Sequence, residues 1–320
     1  MTQPGNLSMS HIVTRLPILL LVLAGLTAAG SLRAPAEKLV PPLTNVSVGT
    51  QRDGDVTHFY VTNRELCEVT MTFSLKLVNL KSCAEFPYTV TLPPHQVTEA
   101  FSLEPVDPGK PWQFDYTNYF KLGSACSQPN DSFVYQLPFP AGDKFKVTQG
   151  YNGTFSHTGA NQYAIDWKMP EGTPVRAARG GLVVKVKDDS NTGGPSMDYD
   201  KFNNYVIIRH DDGTLAQYCH LKKGGCVVIP GQVVTTGQLI AHSGNTGFTS
   251  GAHLHFCVFK TKNGRERMTV PTKFQTATDA AATLAEGNTY RAVGVPVDSH
   301  VAAAAKTTTG QREVGGASLQ

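Results

Sequence analysis

The sequence predicts an all-β protein built from two domains. Its 320 residues correspond to about two domains at roughly 150 residues each. Thirty glycines and 20 prolines supply turns, and β-branched residues dominate the central apolar runs, which argues against a protein of long helices. Short segments of alternating apolar and polar residues recur along the chain, as expected of half-buried strands.

An apolar block near the N-terminus predicts export. Residues 16–30 read LPILLLVLAGLTAAG, which is too short to span about 30 Å of hydrocarbon as a helix. Ala28 and Gly30 precede Ser31 at the spacing that a signal peptidase prefers. We interpret residues 1–30 as a signal peptide, with an uncleaved anchor as the alternative. The mature protein is then periplasmic or extracellular, without stable membrane insertion.

The cysteine content fits an exported chain. All six cysteines lie beyond the apolar block, and an even number in an oxidising compartment indicates disulfides. Cys67 with Cys83, and Cys219 with Cys226, are plausible local bridges. The remaining connectivity stays open.

Residues 31–44 contain several prolines and are interpreted as a linker, followed by an immunoglobulin-like β-sandwich over 45–122. From Val69 to Leu77 apolar residues alternate with threonine, serine and lysine, the period of a half-buried strand. The segment holds no cluster of histidine, aspartate and cysteine at catalytic spacing. It is therefore interpreted as a binding or spacer module.

A second β-rich domain is predicted over 123–292. Apolar residues alternate from Leu182 to Val186, and Asp211-Asp212-Gly213 predicts a turn between two strands. One short helix is expected at 279–286. Residues 293–320, rich in alanine and threonine with little to bury, are expected to form a disordered tail.

The charge distribution excludes one class of function. The net charge of +3 comes from 28 basic and 25 acidic residues without a basic cluster. A nucleic-acid-binding protein needs a positive face to hold phosphates, so no nucleic-acid partner is expected.

The candidate chemistry lies in the second domain. In a strand, residues i and i+2 share a face, so His253 and His255 project together while Leu254 and Phe256 face the core. Two adjacent imidazoles form a plausible metal-binding edge, although an H-x-H motif alone is weak evidence. Asp166 lies in an apolar strand pattern, where a buried carboxylate needs a partner or a cation.

These motifs together resemble a known family. In order along the chain, SHTG at His157, YAIDW at Asp166, GTPVRAARGGLVV, YCHL and SGNTGFTSGAHLHF are similar to the M23 family of zinc metallopeptidases, the lysostaphin- and LytM-like endopeptidases. The resemblance covers roughly residues 145–260. It implies an M23-type antiparallel β-sheet domain in which His157, Asp166 and His255 hold Zn²⁺, with a fourth position open for water.

The resemblance also assigns two accessory residues. His220 and His253 match the family's histidines beside the metal, which position or deprotonate the water and stabilise the tetrahedral oxyanion. Nine positions separate His157 from Asp166, a longer spacing than in many members. Cys257 shares a strand face with the H-x-H histidines, so a His/His/Cys site is an alternative.

Other residues have structural interpretations. His210 belongs to a hairpin turn, and His242 precedes a loop that is expected to shape the groove floor. Tyr151 lines the groove, donates to an oxyanion, or packs within its loop. A catalytic role of His242 is the alternative to that structural one.

The resemblance implies an exported zinc metalloendopeptidase that hydrolyses peptide bonds in peptidoglycan stem peptides or crossbridges, acting as a monomer. The first domain would help to present the substrate or cover the groove until displaced. Three alternatives remain: an M23-like regulator that activates cell-wall amidases, a copper–zinc dismutase-like sandwich, and a structural adhesion protein. Retention of all three ligand residues argues against the regulator.

Overall fold

The computed structural model describes residues 7–11 and 45–294, with side chains over 45–294. The predicted linker, the predicted tail beyond residue 294 and most of the predicted signal peptide lie outside these ranges. No helix among the described residues is long and apolar enough to cross a membrane.

The first domain is a β-sandwich, as predicted. Its strands are β1 (Leu7–His11), β2 (Val46–Asp53), β3 (Val56–Asn63), β4 (Val69–Val78), β5 (Leu80–Ser82), β6 (Tyr88–Leu92), β7 (Gln96–Pro105) and β8 (Gln113–Leu122). They form two four-stranded antiparallel sheets, ordered β1-β8-β4-β6 and β2-β3-β7-β5. The strand β4 includes the whole alternating run that the sequence indicated.

Aromatic side chains join the two sheets of the sandwich. Phe59 and Phe101 project from one sheet and Phe73 and Phe114 from the other. The Phe59 ring lies 4.5 Å from Phe101 and 5.3 Å from Phe114 between centroids. Each large ring buries considerable apolar area, so this cluster stabilises the sandwich.

The second domain is built around one large antiparallel sheet. Its strands are β9 (Val134–Gln136), β10 (Lys144–Gln149), β11 (Ile165–Lys168), β12 (Pro174–Arg176), β13 (Gly181–Lys187), β14 (Gly193–Gly194), β15 (Tyr205–Arg209), β16 (Leu215–Cys219), β17 (Val233–Val234), β18 (Leu239–His242), β19 (Gly247–Phe248), β20 (His253–Thr261), β21 (Arg267–Val270), β22 (Lys273–Gln275) and β23 (Thr289–Arg291), with 3₁₀ helices at Gly159–Asn161 and Met197–Phe202. The nine-stranded sheet runs β17-β13-β15-β16-β20-β11-β10-β23, with β21 also paired to β20. The turn predicted at residues 211–213 joins β15 to β16.

The two faces of this sheet bury different sets of residues. On β20, Leu254 and Phe256 point into the core of the second domain, as the sequence predicted. His255, Cys257 and Phe259 alternate with them and point to the opposite face. The candidate metal ligands therefore lie on the face that is turned away from the domain's own core.

The sandwich packs against this same face. Phe259 of β20 and Leu215 of β16 lie in one buried cluster with Phe59 of the sandwich. Ile207 of β15 belongs to the same cluster. The two domains consequently share a hydrophobic core, and the sandwich covers the sheet face beyond His255.

A bidentate ion pair strengthens the domain interface. Arg209 donates through Nε and Nη2 to the two carboxylate oxygens of Glu68, at 2.7 and 2.5 Å. This contact holds the pKa of Glu68 below its ordinary value. Paired donors of this kind fix geometry as well as supplying energy.

The structure contains none of the expected disulfides among its described residues, and all six cysteines are free. Cys67 is buried in the sandwich core, where burial raises its pKa to about 12, whereas Cys83 is exposed. Cys219 faces the groove, while Cys226 packs against the core on the other side of the sheet. In each pair the two side chains therefore enter different environments.

The helix expected at 279–286 is also absent. The N–H groups of Phe274 and Ala282 each donate to the other's carbonyl, at 2.9 and 2.8 Å, and Asp279 N–H donates to Thr276 Oγ1 at 3.0 Å. This loop uses its backbone groups across the chain, which prevents the hydrogen bonds between residues four apart that a helix requires.

The hairpin between β20 and β21 touches the sandwich closely. Gly264 N–H donates to Thr72 Oγ1 at 2.9 Å, and the Arg265 guanidinium lies 3.7 Å from the centre of the Tyr119 ring. A Cβ on Gly264 would lie 2.1 Å from Tyr119 O and 2.5 Å from Thr72 N. Only glycine fits at this contact without backbone movement.

We expect Gly264→Ala to destabilise the protein by about 1–3 kcal/mol, because the added methyl group meets backbone atoms. The midpoint of thermal unfolding should fall accordingly. Gly49→Ala is the matched control, since nothing lies within 4 Å of a Cβ there. Equal midpoints for the two variants would contradict the close domain contact.

Candidate metal centre

Adjacent strands of the large sheet gather four of the five predicted site residues. The register pairs Asp166 of β11 with His255 of β20, and pairs His255 with Cys219 of β16 on its other side. His253 lies two residues before His255, and His220 follows Cys219 at the end of β16. Opposite residues of an antiparallel pair have Cβ atoms about 4.5–5.5 Å apart, so these side chains meet on one face.

The loop before β11 brings in the fifth residue. His157 Nε2 lies 3.2 Å from Asp166 Oδ1 and 3.3 Å from His255 Nδ1, and His255 Nδ1 lies 2.8 Å from Asp166 Oδ1. The three ligand atoms lie within 4.8 Å of one another, and all three residues are buried. No other such group of three occurs within residues 45–294, and the cluster contains Asp166 rather than Cys257.

Backbone carbonyls fix the orientation of three imidazoles. Nδ1 of His157 lies 2.8 Å from Gly150 O, Nδ1 of His220 lies 2.7 Å from Thr246 O, and Nδ1 of His253 lies 2.7 Å from Gly251 O. A carbonyl only accepts, so each Nδ1 carries the proton. In the neutral ring, Nε2 then keeps its lone pair, and outer contacts of this kind set the tautomer at metal sites.

The Asp166 carboxylate is the electrostatic centre of the cluster. Burial alone would raise its pKa, but the imidazoles of His255, His157 and His253 hold that pKa well below its ordinary value. Gln149 Nε2 donates to Asp166 Oδ2 at 3.2 Å. The other oxygen, Oδ1, therefore faces the two ligand imidazoles while Oδ2 is held from outside.

His220 occupies a strained backbone position. Its φ of 61° lies in the left-handed region, which is uncommon for residues other than glycine. Its N–H donates to Asn203 Oδ1 at 2.9 Å. Burial and the nearby His253 and His255 imidazoles hold the pKa of His220 well below its ordinary value, so the ring is neutral. The ring centroids of His220 and His253 are 4.5 Å apart.

The cluster opens into a groove of about 530 Å³, whose lining residues all lie between Thr148 and Arg267. None of these lining residues comes from the sandwich, so within the described ranges the sandwich does not cover the groove. Phe155, which is 68% exposed, stacks on Phe248 at the rim with 5.8 Å between centroids. The groove thus combines a polar floor with an aromatic edge.

Comparison with known sequences identifies the family that one segment of the chain matches. Residues 160–267 match the profile of peptidase family M23. The chain carries an M23 peptidase domain. This match contains Asp166, His220, His253 and His255, and begins just after His157.

Relatives with named activities are similar to about a third of this chain. Peptidoglycan DD-endopeptidase ShyA of Vibrio cholerae is 33% identical over 122 residues, which are 37% of this chain and 26% of that protein. Glycyl-glycine endopeptidase ALE-1 of Staphylococcus capitis is 37% identical over 99 residues, or 31% of this chain and 24% of that protein. The chain therefore spans about a quarter of the length of these relatives.

Among solved structures, the catalytic domain of lysostaphin from Staphylococcus simulans is similar to this chain. The sequences are 26% identical, and the match covers 40% of this chain and 87% of that one with a TM-score of 0.29.

The sequence did not indicate several residues that line or support the groove. Gln149 contacts Asp166, and Asn203 contacts the His220 backbone. Arg267 lines the groove from β21. Each lies outside the ligand motifs, and no local spacing distinguishes a single amide or arginine of this kind.

The residues given structural interpretations lie outside the groove lining. Tyr151 Oη donates to Thr272 O at 2.6 Å, in accordance with a packed loop tyrosine. His242 Nδ1 lies 3.3 Å from Gly225 O. His210 is fully buried in the turn, where Nδ1 lies 2.8 Å from Gly180 O, so it is hydrogen-bonded rather than solvated.

We expect His210 to make stability dependent on pH. Burial lowers its pKa to about 4, below the ordinary value of about 6.5 for an unfolded chain. The neutral ring of His210 therefore adds about 3 kcal/mol to the free energy of unfolding. This contribution is complete above pH 6.5 and is lost as the pH falls towards 4. The free energy of unfolding of the metal-free protein should fall more steeply over this range than that of His210→Gln. Parallel curves for the two proteins would contradict the assignment.

Proposed function

We propose that this protein is an exported zinc metalloendopeptidase that hydrolyses peptide bonds in peptidoglycan stem peptides or crossbridges. The observation that carries the proposal is the convergence of His157, Asp166 and His255 beside a groove whose lining includes Asp166, His255 and two further imidazoles. The relatives named above as peptidoglycan and glycyl-glycine endopeptidases support the substrate class.

The donor set fits zinc. Two imidazole nitrogens and one carboxylate oxygen are a ligand set typical of catalytic zinc sites, which keep one position open. The His157 ring already donates Nδ1–H to Gly150 O, which leaves Nε2 for a metal. Gln149 holds one Asp166 oxygen and leaves the other towards the cluster. The residues present thus supply both the ligands and the outer contacts that orient them.

Zinc in this site would act as a Lewis acid, which would lower the pKa of a bound water towards neutral pH and would polarise the scissile carbonyl. The protein's own contribution lies in the proton transfers. His220 and His253 keep Nδ1–H on backbone carbonyls, so each Nε2 can accept a proton from the attacking water. Once protonated, either Nε2 can stabilise the developing oxyanion or donate to the leaving amine.

The shape of the groove suits an extended peptide. It is open along the sheet face, and Phe155 and Phe248 give it an apolar rim. The hydrogen bonds from Nδ1 of His157, His220 and His253 to backbone carbonyls hold these imidazoles in place. This lowers the entropic cost of reaching the transition state. An extended crosslink can lie in the groove with its scissile bond above the cluster.

We expect about one zinc per chain in the purified protein and the loss of both zinc and activity in His255→Ala. The variant removes one of three ligands and leaves the Asp166 carboxylate without its nearest partner. Metal analysis and muropeptide release from purified peptidoglycan measure the two effects. His58→Ala, at an exposed ion pair with Glu99 in the sandwich, is the control that keeps both. Equal muropeptide release from wild type and His255→Ala would overturn the proposal.

We expect His220→Asn to keep the metal but lower kcat by roughly 10²–10⁴-fold, the usual contribution of a general acid or base. Asparagine tolerates the left-handed backbone at this position, so the fold is retained. The readouts are zinc content and kcat on a soluble muropeptide. An unchanged kcat would remove His220 from the proton transfers.

A further inference from the structure

Two cations, Lys168 and Arg267, line the groove without an ion pair among the described residues, and Arg267 is the half-buried one. Arg267 begins β21 and lies opposite Thr261 of β20. Its guanidinium lies 4.5 Å from the centre of the Phe259 ring, on the site face of the large sheet, which is the face that carries His255. Its Nη1 donates to Gln217 Oε1 at 2.6 Å, and its Nη2 donates to Asn161 Oδ1 at 2.8 Å.

These contacts place the guanidinium near the metal cluster. Gln217 of β16 is the cross-strand partner of Cys257, which lies two residues beyond His255 on the same face of β20. Two residues of a strand span about 7 Å. The strand position that Arg267 contacts therefore lies about 7 Å along the sheet from His255.

The groups that hydrogen-bond Arg267 are polar and uncharged, although the carboxylate of Asp200 interacts with it electrostatically from farther away. Both of its acceptors are amide oxygens, and no carboxylate within residues 45–294 lies at ion-pair distance from its guanidinium. Asp200 also lines the groove but makes no such pair. The side chain is half-buried, and a partly desolvated charge without a counter-ion is costly. The arrangement is favourable when an anion enters the groove.

We propose that Arg267 selects substrates by binding a free carboxylate on the residue that supplies the scissile amide nitrogen. This inference rests on the proposed function and narrows its substrate class. It favours crosslinks through a diamino dicarboxylic acid, whose carboxylate is attached to the carbon bearing that nitrogen. An uninterrupted glycine bridge offers no such group.

The contacts of the guanidinium orient it for binding a carboxylate. Arginine has five N–H donors in a planar fork that matches a carboxylate. Gln217 and Asn161 occupy two donors and fix the plane of the fork, and Phe259 supports one face of it. The remaining donors are available to the groove, and charge-assisted pairs of this geometry are the stronger hydrogen bonds in proteins.

The test uses the full-length zinc-loaded protein and two dimeric muropeptides. One carries a D-alanyl–diaminopimelate crosslink with its free carboxylate, and the other carries the same crosslink with that carboxylate converted to a carboxamide. We expect the carboxamide to lower kcat/KM of the wild type by roughly 10–100-fold, mainly through KM, as for loss of a hydrogen bond to a charged group. Arg267→Gln should lose this discrimination, and Arg267→Lys should retain part of it.

Arg265→Gln is the matched control, because Arg265 stacks on Tyr119 of the sandwich and is not among the groove-lining residues. It should discriminate like the wild type. Equal kcat/KM of the wild type on both muropeptides, or unchanged discrimination in Arg267→Gln, would overturn the role of Arg267 while leaving the endopeptidase proposal intact. If Arg267→Gln fails to fold, Arg267→Lys decides, because discrimination by the wild type alone does not distinguish Arg267 from Lys168 of the same groove. Cleavage of neither muropeptide by the wild type would instead contradict the endopeptidase activity.

Discussion

A carboxylate buried among imidazoles is the interaction on which the site depends. Asp166 lies in the middle of a sheet, where an unpaired negative charge would be strongly destabilising. The structure meets this cost by surrounding the charge with His157, His255 and the amide of Gln149. The same arrangement that stabilises the charge provides three converging ligand atoms, so the fold and the candidate chemistry have one electrostatic origin.

The site face of the large sheet serves two purposes along its length. Its first part carries the candidate metal site and the groove, and its second part is buried beneath the sandwich. The hairpin from β20 to β21 links them, since Gly264 rests on the sandwich while Arg267 enters the groove. Within residues 45–294 the sandwich contributes no side chain to the groove lining.

Much of this organisation was predictable from the sequence because it depends on local patterns. The period of two residues predicted the strands, and it also placed His253 and His255 together opposite Leu254 and Phe256. The ligand set itself came from the order of motifs, since His157 enters from a loop whose path no periodicity encodes. The cost of burying a carboxylate indicated that Asp166 needs a partner, but it did not indicate which residue supplies that partner.

The remaining features depend on contacts between distant segments. The cysteine count suggested bridges, yet Cys219 and Cys226 enter opposite sides of the sheet, which spacing alone does not reveal. The helix expected near Ala282 gave way to a backbone pairing with Phe274. Arg267 acquires its position only when β21 folds back beside β20, so its approach to Gln217 has no signature in the linear chain.

The shared core has a consequence for how such a protein can diversify. Modules joined by a flexible tether can be exchanged during evolution with little adjustment, because each keeps its own surface. Here Phe259 and Leu215 become solvent-exposed if the sandwich is replaced by an unrelated module. Any successor must present a complementary apolar surface and a carboxylate for Arg209. The two parts are therefore expected to have changed in step, as a single heritable unit.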